Sequence, residues 1–162
     1  MRDTYKAVEV YEPGRLRAVE RLISEPCEQV RFGFGWKHAE SVTAMRPTVM
    51  GTYPGLVLPR VPGHEVVGRI EALGSGVSKW KIGQRVGVGF FGGEDGVCEL
   101  CRRGDIVNCQ NPVIPGVTGD GGYAEVMIAE ARGIAYSNHC GGGRSTTRSH
   151  GGLGEVRRRA LR

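Results

Sequence analysis

The sequence predicts a mainly β fold with little helix, a barrel or sandwich of short strands. Three observations carry this. Apolar and polar residues alternate in a series of short runs, the period of a strand buried on one face. Glycine supplies 27 of 162 residues, a surplus that favours short strands and tight turns. No stretch offers a long amphipathic helix.

The elements read in chain order. Tyr5 to Tyr11 carries apolar residues at alternate positions and stops at the Pro13-Gly14 turn. Leu16 to Ile23 resumes the alternation until Glu25-Pro26, and Val30 to Phe34 starts a third strand. Val66 to Leu73 is a fourth, closed by Gly74 and Gly76, and the Val- and Gly-rich run Arg85 to Phe90 is a fifth. Tyr123 to Ala129 is the last strand read. Two segments are out of character. Residues 32–47 have no clean period, and residues 136–150 are rich in Gly, Ser, Thr and Arg, so structure is not forced on them.

The length fits one domain with a real core. The net charge of +5 raises the question of nucleic acid, and its distribution argues against that partner. Residues 1–133 hold 16 Lys/Arg and 16 Asp/Glu. The excess sits in Arg144, Arg148, Arg157, Arg158, Arg159 and Arg162, opposed only by Glu155, and reads as a solvated tail. No apolar run approaches the roughly 20 residues that cross a bilayer, and MRDTYKAVEV has no apolar signal core. A cytoplasmic protein without membrane contact is expected. Five cysteines in such a chain suggest metal ligands or thiols before disulfides.

Two constellations carry chemistry. His64 follows a Pro-Gly turn and precedes a strand, a rigid place from which to aim an imidazole at a metal, with Glu65 adjacent. Spacing alone also fits a structural histidine. Cys98 and Cys101 form a C-x-x-C, and Cys109 lies eight residues on. Two thiolates three apart on a tight turn can bite one Zn²⁺, and a third from the same loop nearly closes a tetrahedron. Arg102 and Arg103 beside them are expected to favour the thiolate form. Unliganded cysteines remain an alternative. A redox pair is a poorer one, because no βαβ pattern surrounds it. A nucleic-acid module of zinc-ribbon type would want a second C-x-x-C about 15–20 residues on, which is absent.

Gly63, His64, Glu65, Gly68, Gly74 and Val77 match the signature of zinc-containing alcohol dehydrogenases, and the chain resembles that family of medium-chain dehydrogenases. The likeness extends to YKAVEVYEPG, PGLVLPRVPGHE, WKIGQRVGVG and GGYAEVMIAEARG, covering about residues 5–31 and 48–133. The resemblance implies the N-terminal GroES-like catalytic domain, a distorted barrel over residues 1–133 with a zinc-binding lobe at 92–112. Residues 134–162 then form an irregular, low-complexity basic tail, the remnant of a lost Rossmann domain.

Site roles follow from the same resemblance. His64 stands where the family binds its catalytic zinc, and Glu65 where a carboxylate sits close to that metal. The family's structural zinc takes four Cys at spacings of three, three and eight. Counting back three from Cys98 gives Asp95, whose carboxylate is the natural fourth ligand, with Glu94 as second choice. Asp95, Cys98, Cys101 and Cys109 are therefore the expected structural-zinc set.

The chain also departs from the family. The first catalytic-zinc Cys, about 25 residues before Gly-His-Glu, has no counterpart, because different registers put Lys37, Glu40 or Val42 there. The third ligand's segment is missing. Gly151-Gly152-Leu153-Gly154 resembles the end of a Rossmann phosphate loop, with Ser149 where its first Gly belongs and no strand before it. No nucleotide site is assigned. Residues 32–47 and 134–150 interrupt well-matching sequence abruptly, as a shifted reading frame in the gene would make them do.

The function implied is oxidation of a small alcohol, or reduction of an aldehyde, with zinc as Lewis acid and NAD(P) as hydride acceptor in intact relatives. This truncated chain is expected neither to bind NAD(P) nor to turn over alone. The alternative is a non-enzymatic zinc-binding module that pairs with a partner chain or with a second copy of itself.

Overall fold

A computed structural model describes residues 3–23, 29–33 and 45–136. The readings made on Lys37, Glu40, Val42, the arginine-rich tail and residues 149–154 lie outside the described residues. Seven strands and two four-residue helices follow in order: β1 (Thr4–Glu12), β2 (Arg15–Leu22), β3 (Gln29–Gly33), α1 (Arg46–Val49), β4 (Val66–Leu73), β5 (Arg85–Val88), α2 (Glu99–Arg102), β6 (Val126–Glu130) and β7 (Ile134–Tyr136). The mainly β expectation holds. No helix among the described residues is long and apolar enough to cross a membrane.

β3 to β7 form one antiparallel sheet in the order β6-β3-β4-β5-β7. Its core-facing residues alternate: Val66 and Ile70 from β4, Val86 and Val88 from β5, Met127 and Ala129 from β6, and Ile134 from β7. That period of two is what the sequence displays. Leu73, Val77 and Trp80 pack against this core, and Trp80 Nε1 donates to Ala131 O at 2.9 Å.

β1 and β2 form a hairpin turned at Gly14, whose φ of 76° suits glycine. The hairpin joins the larger sheet through backbone. Val8 N donates to Tyr123 O at 2.8 Å, and Glu125 N donates to Lys6 O at 2.9 Å. Further along the same edge of β1, Val10 and Arg60 exchange bonds of 2.8 and 2.9 Å. Ala7, Val61 and Ala124 fill the seam. The result is a distorted barrel.

Two strands differ from the sequence reading. Tyr123 to Glu125 bond to β1 before β6 begins, so β6 starts at Val126. β7 has three residues, too few to show alternation, and pairs with β5 from Val86↔Tyr136 to Val88↔Ile134.

An ionic network pins the hairpin to the 116–122 loop. Glu9, only 4% exposed, accepts from Arg17 and Arg21. Arg21 also pairs with Asp120, which accepts Val61 N at 3.0 Å and Arg60 at 3.3 Å. Burial pushes the Glu9 carboxyl up, and the bonds from Arg21 and Arg17 outweigh it, leaving it below its ordinary value. A depressed folded value means stability that is present above the ordinary glutamate range and is lost as pH falls through the folded value. Glu9→Gln is expected to cost about 2 kcal/mol at neutral pH. It is also expected to flatten the loss of stability below about pH 5. Urea denaturation from pH 7 to pH 3 checks both, and an unchanged pH slope would count against this role.

Candidate metal centre

The chain leaves the barrel at Gly92-Gly93 and returns at Val113. The base is clamped by Gly92 N to Val113 O at 2.8 Å and Val113 N to Gly93 O at 2.9 Å. Between these points the loop has too little apolar sequence for a core of its own. Val97, Ile106 and Val107 are exposed. Its order comes from turns and from polar side chains that converge inward.

Asp95, Cys98, Cys101 and Cys109 are brought together, each offering one ligand atom, all within 4.8 Å of one another. A tetrahedral Zn²⁺ with Zn–S near 2.3 Å sets its sulfurs roughly 3.8 Å apart, so a small contraction closes this cluster around one ion. Glu94 does not join the group. Cys98 caps α2, and that helical turn brings Cys101 back beside it, with Cys101 N donating to Cys98 Sγ at 3.4 Å. Cys109 arrives from the far end of the loop and is the buried member. Its sulfur accepts Asp95 N at 3.5 Å and Asn111 N at 3.4 Å.

The electrostatics favour a cation. The Asn111 side chain and the backbone N–H groups of Cys98 and Val97 hold the Asp95 carboxyl well below the usual carboxylate range. Backbone N–H groups of Gln110 and Cys101 lower the Cys98 thiol. Desolvation, then the neighbouring thiols of Cys98 and Cys109, push Cys101 up to about 12. The proton kept there lies among three sulfurs and a carboxylate, where a metal would replace it. The expectation that Arg102 and Arg103 tune the thiols is corrected. Backbone donors lower Cys98, and Arg103 instead faces Glu99 at 3.5 Å on the exposed side of α2.

His64 lies just before β4, half-buried, its ring edge-on to Phe90 with centroids 5.2 Å apart. Burial lowers its pKa and Glu65 opposes that shift. Glu65 itself is exposed. Gly63 has φ 105°, and a Cβ there would meet Gly122 N and the Tyr123 ring at 2.9 Å. The His64 loop is laced to the Gly121-Gly122-Tyr123 segment by Gly121 N to Val61 O, Gly122 N to Gly63 O and Tyr123 N to Pro62 O, at 2.7 to 2.9 Å. Two motifs read separately in the sequence are thus one structure. Among the described residues, the Asp95 lobe is the only group of three or more His, Cys, Asp or Glu close enough to hold a metal, and His64 is not in it. The described residues do not fit a catalytic zinc.

Asn111 went unread in the sequence. Nothing in its spacing marks it, yet it donates to both Asp95 and Cys109.

Known proteins resemble this chain in sequence and in fold. The alcohol dehydrogenase patD of Aspergillus clavatus is 50% identical over 82 residues, a match that covers 50% of this chain and 21% of that protein. An alcohol dehydrogenase of E. coli CFT073, rspB, solved with NADH, superposes with a TM-score of 0.71 at 29% identity, covering 83% of this chain and 39% of that one. A zinc-binding dehydrogenase of Sinorhizobium meliloti 1021, solved with NADP, shares the fold with a TM-score of 0.73 at 24% identity, over 83% of this chain and 39% of that one. The chain thus spans well under half of each relative. Residues 37–139, more than half of the chain, match the alcohol dehydrogenase GroES-like domain, and the chain belongs to that family.

Proposed function

We propose that this chain is the GroES-like catalytic-domain region of a zinc-dependent alcohol dehydrogenase and that its lobe holds one structural zinc. Asp95, Cys98, Cys101 and Cys109 would be the ligands. The convergence of these four side chains carries the reading. Zinc bound there would cross-link the two ends of the loop and would take no part in reaction with substrate. The parent activity is hydride transfer between a small alcohol or aldehyde and NAD(P). His64 supplies one imidazole toward that chemistry, with Glu65 beside it, over a domain that extends past the expected boundary at 133 to include β7, Ile134–Tyr136. Three cysteines free of disulfides suit the reducing cytoplasm.

Assayed alone, the 162 residues are expected to hold about one zinc per chain and to show no alcohol oxidation with NAD⁺ or NADP⁺. Zinc content and turnover of a panel of alcohols check this. Turnover in the common range of ~1–10³ s⁻¹ would overturn the inactivity, and two zincs per chain would restore a catalytic site at His64.

A second reading, a zinc-binding module that pairs with another chain, draws support from exposed Leu22, Val57, Ile82 and Tyr136. Light scattering of the purified chain separates a monomer from an oligomer.

A further inference from the structure

We propose that Asn111 is the positioning residue of the metal lobe, holding Asp95 so that its Oδ2, and not its Oδ1, binds the ion. The proposal rests on the reading of the lobe as a zinc site and goes beyond it to the atom that ligates.

The argument is a count of lone pairs. A carboxylate oxygen offers about two acceptor directions. Asp95 Oδ1 accepts Val97 N and Cys98 N, both at 3.0 Å, and both of its directions are taken. Asp95 Oδ2 accepts Asn111 Nδ2 at 2.8 Å, which leaves one direction for the Cys101 proton that hydrogen-bonds this carboxylate, or for the ion that would replace that proton. A single lone pair left for the ion makes Asp95 a one-oxygen ligand through Oδ2. A thiolate at this position would need no such control, because a lone sulfur has no second atom to orient. A carboxylate can swing about its terminal torsion and present either oxygen, or both. The two backbone donors to Oδ1 fix one end, and the Asn111 amide fixes the other. Hydrogen bonds to a ligating carboxylate orient it and tune its affinity. Asn111 also donates its backbone N–H to Cys109 Sγ at 3.4 Å. The side-chain bond is the one that mutation removes, so the two contributions can be separated.

The experiment measures Zn²⁺ affinity of the full chain by competition with a chromophoric chelator, together with the visible spectrum of the Co²⁺-loaded protein. Asn111→Ala is expected to weaken Zn²⁺ binding about 10- to 100-fold and to shift the Co²⁺ ligand-field bands. In an Asp95→Cys background the same change is expected to alter affinity by less than about twofold, because no carboxylate remains to be held. Equal affinity of the native and Asn111→Ala chains overturns the proposal alone. Equal losses in both backgrounds also overturn it, since Asn111 would then act through Cys109 or the fold. A native chain that takes up no Zn²⁺ overturns the zinc reading and this proposal together.

Discussion

Cys109→Ser is expected to strip the lobe of zinc and to open it while the barrel stays folded. Cys109 is the one ligand from the distal end of the loop; Asp95, Cys98 and Cys101 lie within a single turn and helix start. Losing any other sulfur leaves the loop tied across its length, and losing this one does not. Structural zinc sites contribute roughly 10–16 kcal/mol in small domains, so a quarter of that is worth roughly 60- to 900-fold in affinity. After dialysis against a chelator that the parent resists, zinc content is expected to fall from about one per chain to near zero. Limited proteolysis is expected to cut within residues 92–112. The barrel core, built from β4 to β7, contains none of the four ligands, so far-UV circular dichroism is expected to change little. A Cys109→Ser chain whose zinc affinity, measured against a competing chelator, equals the parent's would refute the assignment of the lobe.

Gly121→Ala is expected to destabilise the domain by about 3 kcal/mol, at the upper end of overpacking costs. A Cβ at Gly121 would run into Gly63 O, with Pro62 O at 2.7 Å and Pro62 C at 2.8 Å behind it. These are backbone atoms, with no flexible end to yield. Relief requires parting the three bonds that lace the His64 loop to residues 121–123. For a domain of this size the shift corresponds to a fall in Tm of roughly 6–12 °C. Gly119→Ala is the control, because its Cβ would meet nothing within 4 Å. It is expected to stay within about 0.5 kcal/mol of the parent. Equal melting temperatures for the two variants would show that the close approach is not a constraint.

Sequence patterning exposed the parts of this fold that obey a period. β1, β2 and β4 alternate over eight or nine residues and were legible to within about a residue. β7 and the start of β6 were not, because their pairing depends on partners far along the chain. The metal cluster was legible because cysteine spacing reflects how far a chain can reach around an ion. Asn111 was not, because its role depends on which carboxylate oxygen is already occupied, and that is a matter of coordinates. The arginines misled for a related reason. Proximity in sequence put them next to the thiols, while the turn that builds α2 directs backbone N–H groups there instead. His64 was placed correctly before β4. The registers that put Lys37, Glu40 or Val42 at the family's first thiolate, of which only Glu40 could bind a metal, fall outside the described residues.

The stitching of β1 to the strand entering β6 has a consequence for the order of events in time. Lys6 N bonds to the Glu125 carboxylate across 119 residues. The first hairpin is local and can close in about 1–10 μs. Its docking must wait until almost the whole domain has left the ribosome. Long-range pairings of this kind belong to slow folders, on scales of roughly milliseconds to seconds. During that interval Ala7 on one face of β1 and Val10 on the other, both buried in the folded domain, are uncovered and available to other nascent chains.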